Sequence, residues 1–153
     1  MKLVVAADHA GFELKQILVE DLKAAGVPFE DLGAHSYVAT DDYPDYADAI
    51  GQAIAAGSAD RGIILCGSGV GVCVAINKYP GVRAGICHDT YSAHQGVEHD
   101  AMNVLCLGAR IVGREVAREI VKSFVEARFS EEERHVRRLE KVREVERRYL
   151  REP

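Results

Sequence analysis

The sequence predicts an α/β fold of three layers, Rossmann-like, with a five-stranded parallel sheet between helices and one extra helix at the C-terminus. Short aliphatic runs alternate with longer helical segments, and five such pairs follow one another between residues 2 and 127. Parallel strands need crossover connections, which helices supply, and right-handed crossovers dominate. The 153 residues are the size of one domain, so we predict a single domain spanning 1–153.

The individual elements are predicted from the period of their apolar residues. Segment 2–7 reads KLVVAA, a buried strand, and 11–25 has apolar residues at helical spacing before Gly26 ends the helix. The remaining predicted strands are 27–33, which is the weakest, 61–66, 82–87 and 103–108. The remaining predicted helices are 44–56, 69–79, 89–99 and 114–127. Residues 33–44 form a polar connection of unusual length, a kind of loop that often borders functional sites.

A last helix is predicted from Ser130, whose hydroxyl together with Glu133 matches a capping box. Its apolar residues form one narrow stripe, which consists of Val136, Leu139, Val142, Val145 and Tyr149. Such a helix has little apolar area to bury on its own sheet. We therefore predict that 130–150 packs on a partner subunit in a homodimer, with pairing of dimers into tetramers left open.

Composition excludes several classes of protein. The net charge of −5 and the pI near 5.7 argue against a binder of nucleic acid or of membrane surfaces. The chain lacks an apolar run close to the roughly 20 residues of a membrane span. Asp8 and His9 interrupt the N-terminal apolar stretch where a signal peptide would still be apolar. We expect a cytoplasmic protein.

The cysteines and histidines do not predict a metal site. The sequence has four cysteines without a CxxC pair and no HxxxH or HExxH spacing. Cys73, Cys87 and Cys106 lie in apolar surroundings and are predicted to be reduced core residues. Cys66 differs from them because it ends a predicted strand directly before the glycine-rich segment GSGVG.

Polar residues follow four of the predicted strands. In open parallel sheets, ligands bind beyond the carboxyl ends of the strands. Strand one leads to the pair Asp8 and His9, for which packing offers no reason, and strand three leads to Cys66. Strand four leads to His88 with Asp89, and strand five leads to Arg110. We therefore expect a pocket lined by an acid, imidazoles, a thiol and a guanidinium.

The glycine-rich segment is G-x-G-x-G and matches neither the dinucleotide fingerprint nor the P-loop. Its glycines allow close approach of backbone N–H groups to an anion, although a tight turn without a ligand is the alternative. Helix N-termini favour the thiolate form of a cysteine, which indicates a reactive Cys66. For Arg134, Arg137 and Arg138 on the last helix, a solvated face and phosphate capture both remain open.

Several segments in order, AADHAGFELK, DYPDYA, CGSGVGVCVAINK, YSA, EHDAMNVLCLGAR and RHVRRLE, resemble ribose-5-phosphate isomerase B and related sugar-phosphate isomerases over nearly the whole chain. The resemblance implies a cofactor-free and metal-free aldose–ketose isomerase, with active sites shared between the subunits of a dimer. It implies interconversion of ribose 5-phosphate and ribulose 5-phosphate.

The resemblance also implies roles for individual residues. Cys66 corresponds to the catalytic base, since Ala75 stands in the region where a second branch of the family has a glutamate. His99 corresponds to the proton donor in ring opening. The corresponding substrate-binding residues are Asp8, His9, Gly67, Ser68, Gly69, Val70, Gly71, Arg110, Arg134 and Arg138. Asp100 belongs to the same set but departs from the family, which usually has asparagine there.

Two alternatives stay open at this point. Relatives that isomerise allose 6-phosphate or galactose 6-phosphate share the thiol chemistry and differ in pocket length, which one sequence does not reveal. A module that only senses a phosphorylated ligand is the second alternative. The joint presence of Cys66 and His99 argues against it, because a sensor needs neither a base nor an acid.

Overall fold

The computed structural model describes residues 1–150, and it confirms the predicted α/β class. The strands are β1 (Leu3–Ala7), β2 (Phe29–Asp31), β3 (Arg61–Cys66), β4 (Ala84–Ile86) and β5 (Val104–Gly108). The helices are α1 (Phe12–Ala24), α2 (Tyr43–Ala55), α3 (Val70–Ile76), α4 (Thr90–Asp100), α5 (Arg114–Glu126) and α6 (Glu133–Tyr149). None of the helices within this described part is long and apolar enough to cross a membrane.

All strand pairs are parallel, and the strand order in the sheet is β2-β1-β3-β5-β4. β2 and β4 are the edge strands, and each has only three residues, which is shorter than the sequence predicts. An edge strand is paired on one side only, so its ends are less constrained than those of β1, β3 and β5. The predicted third helix is also shorter, because it begins after Gly69 and ends at Ile76.

Side chains of the central strands alternate between two apolar layers, as the pleat of a strand requires. In β1, Leu3 and Val5 face the layer formed with α1, α4 and α5, whereas Val4 and Ala6 face α2 and α3. In β3, Leu65 faces the first layer and Cys66 the second. The sheet is thus buried on both faces, and Cys66 lies on the side of α2 and α3.

The C-terminal helix packs against α4 rather than on the sheet. Leu139 is the buried member of its apolar stripe, whereas Val136, Val142, Val145 and Tyr149 are 46 to 72% exposed. The predicted capping box is wrong: α6 begins at Glu133, after Glu132, without a side-chain cap. The Ser130 hydroxyl instead contacts Nδ1 of His135 at 2.6 Å and accepts the Glu132 N–H at 3.2 Å.

A buried ion pair fixes the chain where it leaves β2. The Lys15 side chain on α1 is fully buried, and its Nζ donates to Asp31 Oδ1 at 2.7 Å and to the Ala34 carbonyl at 2.5 Å. Asp31 Oδ1 also accepts the Gly33 N–H at 2.9 Å. α1 is thereby tied to the start of the long polar connection.

Asp31→Ala is expected to lower the free energy of unfolding by about 3 kcal/mol, because it leaves the Lys15 ammonium buried without its counter-charge. Urea denaturation measures the change. Glu20→Ala is the matched control, since it removes the acid from an exposed pair with Lys23 and should change stability by less than about 0.5 kcal/mol. Equal losses in the two variants would contradict a stabilising role of the buried pair.

Candidate active site

A cavity of about 400 Å³ opens at the carboxyl ends of β1 and β3. β1 has β2 as its neighbour on one side and β3 on the other, so the direction in which the chain adds strands reverses between β1 and β3. Such a switch point is where ligands bind in open α/β sheets. The cavity is lined by Asp8, His9, Ala10, Tyr43, Cys66, Gly67, Ser68, Gly71, Arg110 and Ile111. Seven of these residues are ones that the resemblance assigns to substrate binding or catalysis, namely Asp8, His9, Cys66, Gly67, Ser68, Gly71 and Arg110.

Cys66 is the last residue of β3, and only 5% of it is exposed. The backbone N–H of Gly69 donates to its Sγ at 3.1 Å. Gly69 has φ of +80°, and a Cβ there would lie 3.0 Å from the Leu107 carbonyl carbon. Only glycine meets both requirements without strain, so the tight turn that aims an amide dipole at the sulfur depends on this residue.

The rest of the glycine-rich segment forms one wall of the cavity. The Arg110 N–H donates to the Gly67 carbonyl at 3.0 Å, and a Cβ on Gly67 would lie 3.3 Å from Nη1 of Arg110. The guanidinium therefore rests against Gly67. Ser68 is exposed, and its Oγ accepts the Val70 N–H at 3.2 Å. A hydroxyl and a guanidinium thus border the space in front of the Cys66 thiol.

Asp8 and His9, which directly follow β1, also line the cavity. The Asp8 carboxylate is buried and accepts the Gly11 N–H through Oδ1 at 3.1 Å. The His9 ring contacts Asp41 through Nδ1 at 2.7 Å. Asp41 is not among the residues that the sequence predicts for the site. The only signal for it was its position in the polar connection 33–44.

Asp8, His9 and Asp41 offer ligand atoms that all lie within 4.8 Å of one another, although the sequence predicts no metal site. Both oxygens of Asp41 are already engaged, Oδ1 with His9 and Oδ2 with the Tyr46 hydroxyl at 2.8 Å. Asp8 uses Oδ1 for the Gly11 amide. Hydrogen bonds hold His9 and Asp41 together, and Asp8 is the chain neighbour of His9.

His99 lies in a second cluster, formed by α4 and α6. Its ring stacks on that of His135 with centroids 4.1 Å apart, and Gln95 Nε2 donates to its Nδ1 at 3.0 Å. His135 is 2% exposed. Burial, and then the neighbouring His99 and Arg134, lower the pKa of His135. The ring that stacks on His99 is therefore neutral at neutral pH.

The other predicted site residues on α4 and α6 are exposed to solvent. Arg134 pairs with Glu132 at 2.9 Å, and Arg138 and Asp100 lie on the surface. Neither these residues nor His99 line the cavity around Cys66. Within residues 1–150 of one chain, the structure thus divides the predicted site into a half around Cys66 and a half around His99.

Two further expectations from the sequence need correction. His88 and Asp89 do not line the cavity, since His88 Nε2 accepts the Gly108 N–H at 3.0 Å and Asp89 caps α4 through the Ser92 N–H. The reason is that β4 is an edge strand, remote from β1.

Cys87 and Cys106 are buried and all four cysteines are free, but Cys73 is only partly buried. Contact with Cys106, opposed by burial and assisted by Asn77, lowers the pKa of Cys73 to about 7.

Comparison with known proteins gives one consistent family. Residues 3–142 match the Ribose/Galactose Isomerase family. The chain is 42% identical to ribose-5-phosphate isomerase B of Escherichia coli, covering 96% of this chain and 97% of that protein. It is 40% identical to D-erythrulose-4-phosphate isomerase 2 of Mycolicibacterium smegmatis, over 84% of this chain and 86% of that one.

Solved structures agree with the sequence comparison. Ribose-5-phosphate isomerase B from Mycoplasma genitalium, with bound ribulose 5-phosphate, superposes with a TM-score of 0.90. It is 39% identical to this chain, and the match covers 95% of this chain and 96% of the other.

Proposed function

The chain belongs to the ribose/galactose isomerase family, and from that membership we propose that it interconverts ribose 5-phosphate and ribulose 5-phosphate without a cofactor or metal. The observation that carries the proposal is the Cys66 thiol, which faces a cavity with Ser68 and Arg110 and receives an amide N–H from Gly69. A base beside donors for an oxyanion is what proton transfer next to a carbonyl requires.

In the proposed reaction, Cys66 as thiolate removes the proton from C2 of the open-chain aldose. The electron pair forms an enediolate, the proton of the O2 hydroxyl moves to O1, and the thiol returns its proton to C1, which leaves the carbonyl of the ketose at C2. The Ser68 hydroxyl and the amides of Gly67 and Gly71 stabilise the negative oxygen, whereas the Gly69 amide donates to Cys66 Sγ and the Val70 amide to Ser68 Oγ. Asp8, His9 and Arg110 hold the sugar near the thiol.

We propose that His99 assists ring opening as proton donor. Because Gln95 donates to Nδ1, the proton of the neutral imidazole belongs on Nε2, which is then free to donate to the ring oxygen. The stacked His135 ring, which is neutral because its pKa is lowered, restrains the orientation of the His99 ring. These contacts support the assignment of His99 as an acid.

The separation of the two halves supports a homodimer with composite sites. His99 and Arg134 lie on α4 and α6, outside the cavity of their own chain, and the exposed stripe of α6 offers an apolar surface to a second chain. We propose that His99, Asp100, Arg134 and Arg138 of one chain complete the cavity of the other, with the arginines on the phosphate. Pairing of dimers and cytoplasmic location remain predictions.

The length of the sugar is the point on which relatives differ. Names among the relatives include ribose 5-phosphate isomerases and D-erythrulose-4-phosphate isomerases, and the sequence alone left six-carbon substrates open. The cavity of about 400 Å³ has room for each of these sugars. Ribose 5-phosphate is favoured because its name recurs among the relatives and the structures.

An isomerisation assay across sugar phosphates of different length tests the proposal. We expect kcat/KM for ribose 5-phosphate to exceed that for erythrulose 4-phosphate, allose 6-phosphate and galactose 6-phosphate by at least about tenfold, since a wrongly sized sugar misplaces C1 and C2 relative to the thiol. A higher value for any other member of the panel would replace the proposed substrate. Tight binding of the panel without turnover would indicate a sensor.

A further inference from the structure

Asp41 makes three hydrogen bonds in the wall of the cavity, although it does not line the cavity itself. Oδ1 accepts the His9 backbone N–H at 2.9 Å and lies 2.7 Å from His9 Nδ1, and Oδ2 accepts the Tyr46 hydroxyl at 2.8 Å. Its side chain is 10% exposed. A carboxylate held by a backbone amide, an imidazole and a phenol has a fixed position and orientation.

The charges of these groups are fixed as well. Burial acts to raise the pKa of Asp41, but hydrogen bonds from His9 and Tyr46 outweigh it and lower the pKa. Burial, and then the bond to Asp41, raise the pKa of Tyr46 to about 12. At neutral pH the carboxylate is therefore ionised and the phenol is protonated. An ionised carboxylate only accepts hydrogen bonds, so Nδ1 of His9 must carry the hydrogen.

The consequence concerns the other ring nitrogen. His9 lines the cavity and its side chain is 28% exposed. Its Nε2 has no hydrogen-bond partner among the described residues. With hydrogen on Nδ1, the neutral ring presents a lone pair at Nε2. Without Asp41, neither nitrogen would be selected, and the ring could rotate about its side-chain bonds.

We propose that Asp41 is a positioning residue of the isomerase, holding His9 in the Nδ1–H form so that Nε2 accepts a hydrogen bond from a sugar hydroxyl. Tyr46 holds the carboxylate in place from the other side. The role in the reaction rests on the proposed function, whereas the effect of Asp41 on the His9 ring does not. In this proposal, the function of the polar connection 33–44 is to place the Asp41 carboxylate against the side of the His9 ring that faces away from the substrate.

Nitrogen NMR of the full-length protein with ¹⁵N-labelled histidine tests the effect on the ring. At a pH where His9 is neutral, we expect the Nδ1–H form in the wild-type protein and a shift toward the Nε2–H form in Asp41→Ala. His9→Gln identifies the resonance. Asp41→Asn keeps an oxygen acceptor for Nδ1–H and should retain most of the wild-type signal. An Nε2–H form in the wild-type protein, or an unchanged spectrum in Asp41→Ala, would overturn the proposal.

Kinetics test the role in the reaction. By analogy with the loss on removing the outer partner of a metal-bound imidazole, we expect Asp41→Ala to lower kcat/KM by roughly 10- to 100-fold, with partial rescue in Asp41→Asn. Asp42→Ala is the matched control, because Asp42 is an exposed neighbour whose side chain makes no cap bond to α2, and its activity should stay within about twofold. In a His9→Gln background, Asp41→Ala should have less than about a twofold further effect.

Several results would separate failure of the two ideas. Independent, multiplying losses for Asp41 and His9 would show that Asp41 does not act through His9. Equal activity of Asp41→Ala and Asp42→Ala would also show that Asp41 does not act through His9. A wild-type protein without isomerase activity, but with the Nδ1–H form lost in Asp41→Ala, would refute the proposed function while supporting the control of His9 by Asp41.

Discussion

Cys66→Ala is expected to lower kcat for ribose 5-phosphate by at least about 10²-fold, the lower end of what a positioned base contributes. KM should change by less than about threefold, because the contacts to the phosphate and hydroxyls are left intact. The buried thiol sits at the end of β3 and contacts the Gly69 amide, so alanine removes the base without introducing bulk. Steady-state kinetics with both sugar phosphates measure the change.

Cys73→Ala is the control for this variant. Cys73 has a pKa lowered to about 7, and on that ground alone it is a candidate for the reactive thiol. Its Sγ contacts the Ala84 carbonyl and the Asn77 side chain, and Cys73 does not line the cavity. We therefore expect Cys73→Ala to keep more than about half of the wild-type kcat. The assignment of the base would be wrong if Cys73→Ala lost turnover and Cys66→Ala kept it.

Mixing two inactive variants is expected to restore activity. Cys66→Ala and His99→Asn each damage both sites of their own homodimer. In a heterodimer, a shared arrangement places both changes in one site and leaves the other site unaltered. After subunit exchange at equal concentrations, half of the dimers are mixed and have one intact site of two, so about a quarter of the wild-type kcat should return.

Cys66→Ala mixed with Asp8→Asn is the matched control, because both residues line the same cavity in one chain. Every site of that heterodimer has one damaged wall, and activity should stay at the level of the separate variants. Native mass spectrometry verifies that mixed dimers form in both cases. If Cys66→Ala and His99→Asn exchange subunits without regaining activity, the two halves do not meet across an interface.

The fold was predictable because β1, β3 and β5 carry continuous apolar runs, and segments with helical spacing of apolar residues separate the strands. The lengths of β2 and β4 were not, since they depend on having one neighbour in the sheet. The strand order was not predictable either, and it explains why His88 lies away from the cavity while Arg110 lines it. The capping box at Ser130 failed because the hydroxyl found a partner in His135, which only tertiary packing brings within reach.

The site was predictable where chemistry and strand ends coincide, as for Asp8 and Cys66. Asp41 was not, because Asp41 and Asp42 stand side by side in the polar connection and only the path of the loop decides which one reaches His9. The division of the site into a half around Cys66 and a half around His99 was not predictable from the sequence either. A motif such as RHVRR shows that Arg134 and Arg138 share a helix, but not that the helix lies away from the cavity of its own chain.

In the proposed reaction, the chain moves a proton between C2 and C1 of a sugar phosphate. The most direct test is the ribose 5-phosphate assay of the wild-type protein run in D₂O, with the ketose product analysed by NMR. Because the thiol proton can exchange with solvent before it returns to carbon, we expect ribulose 5-phosphate to form with deuterium at C1, and Cys66→Ala to form it at least about 10²-fold more slowly. Failure to convert the sugar, or formation of the ketose by Cys66→Ala at the wild-type rate, would contradict the account.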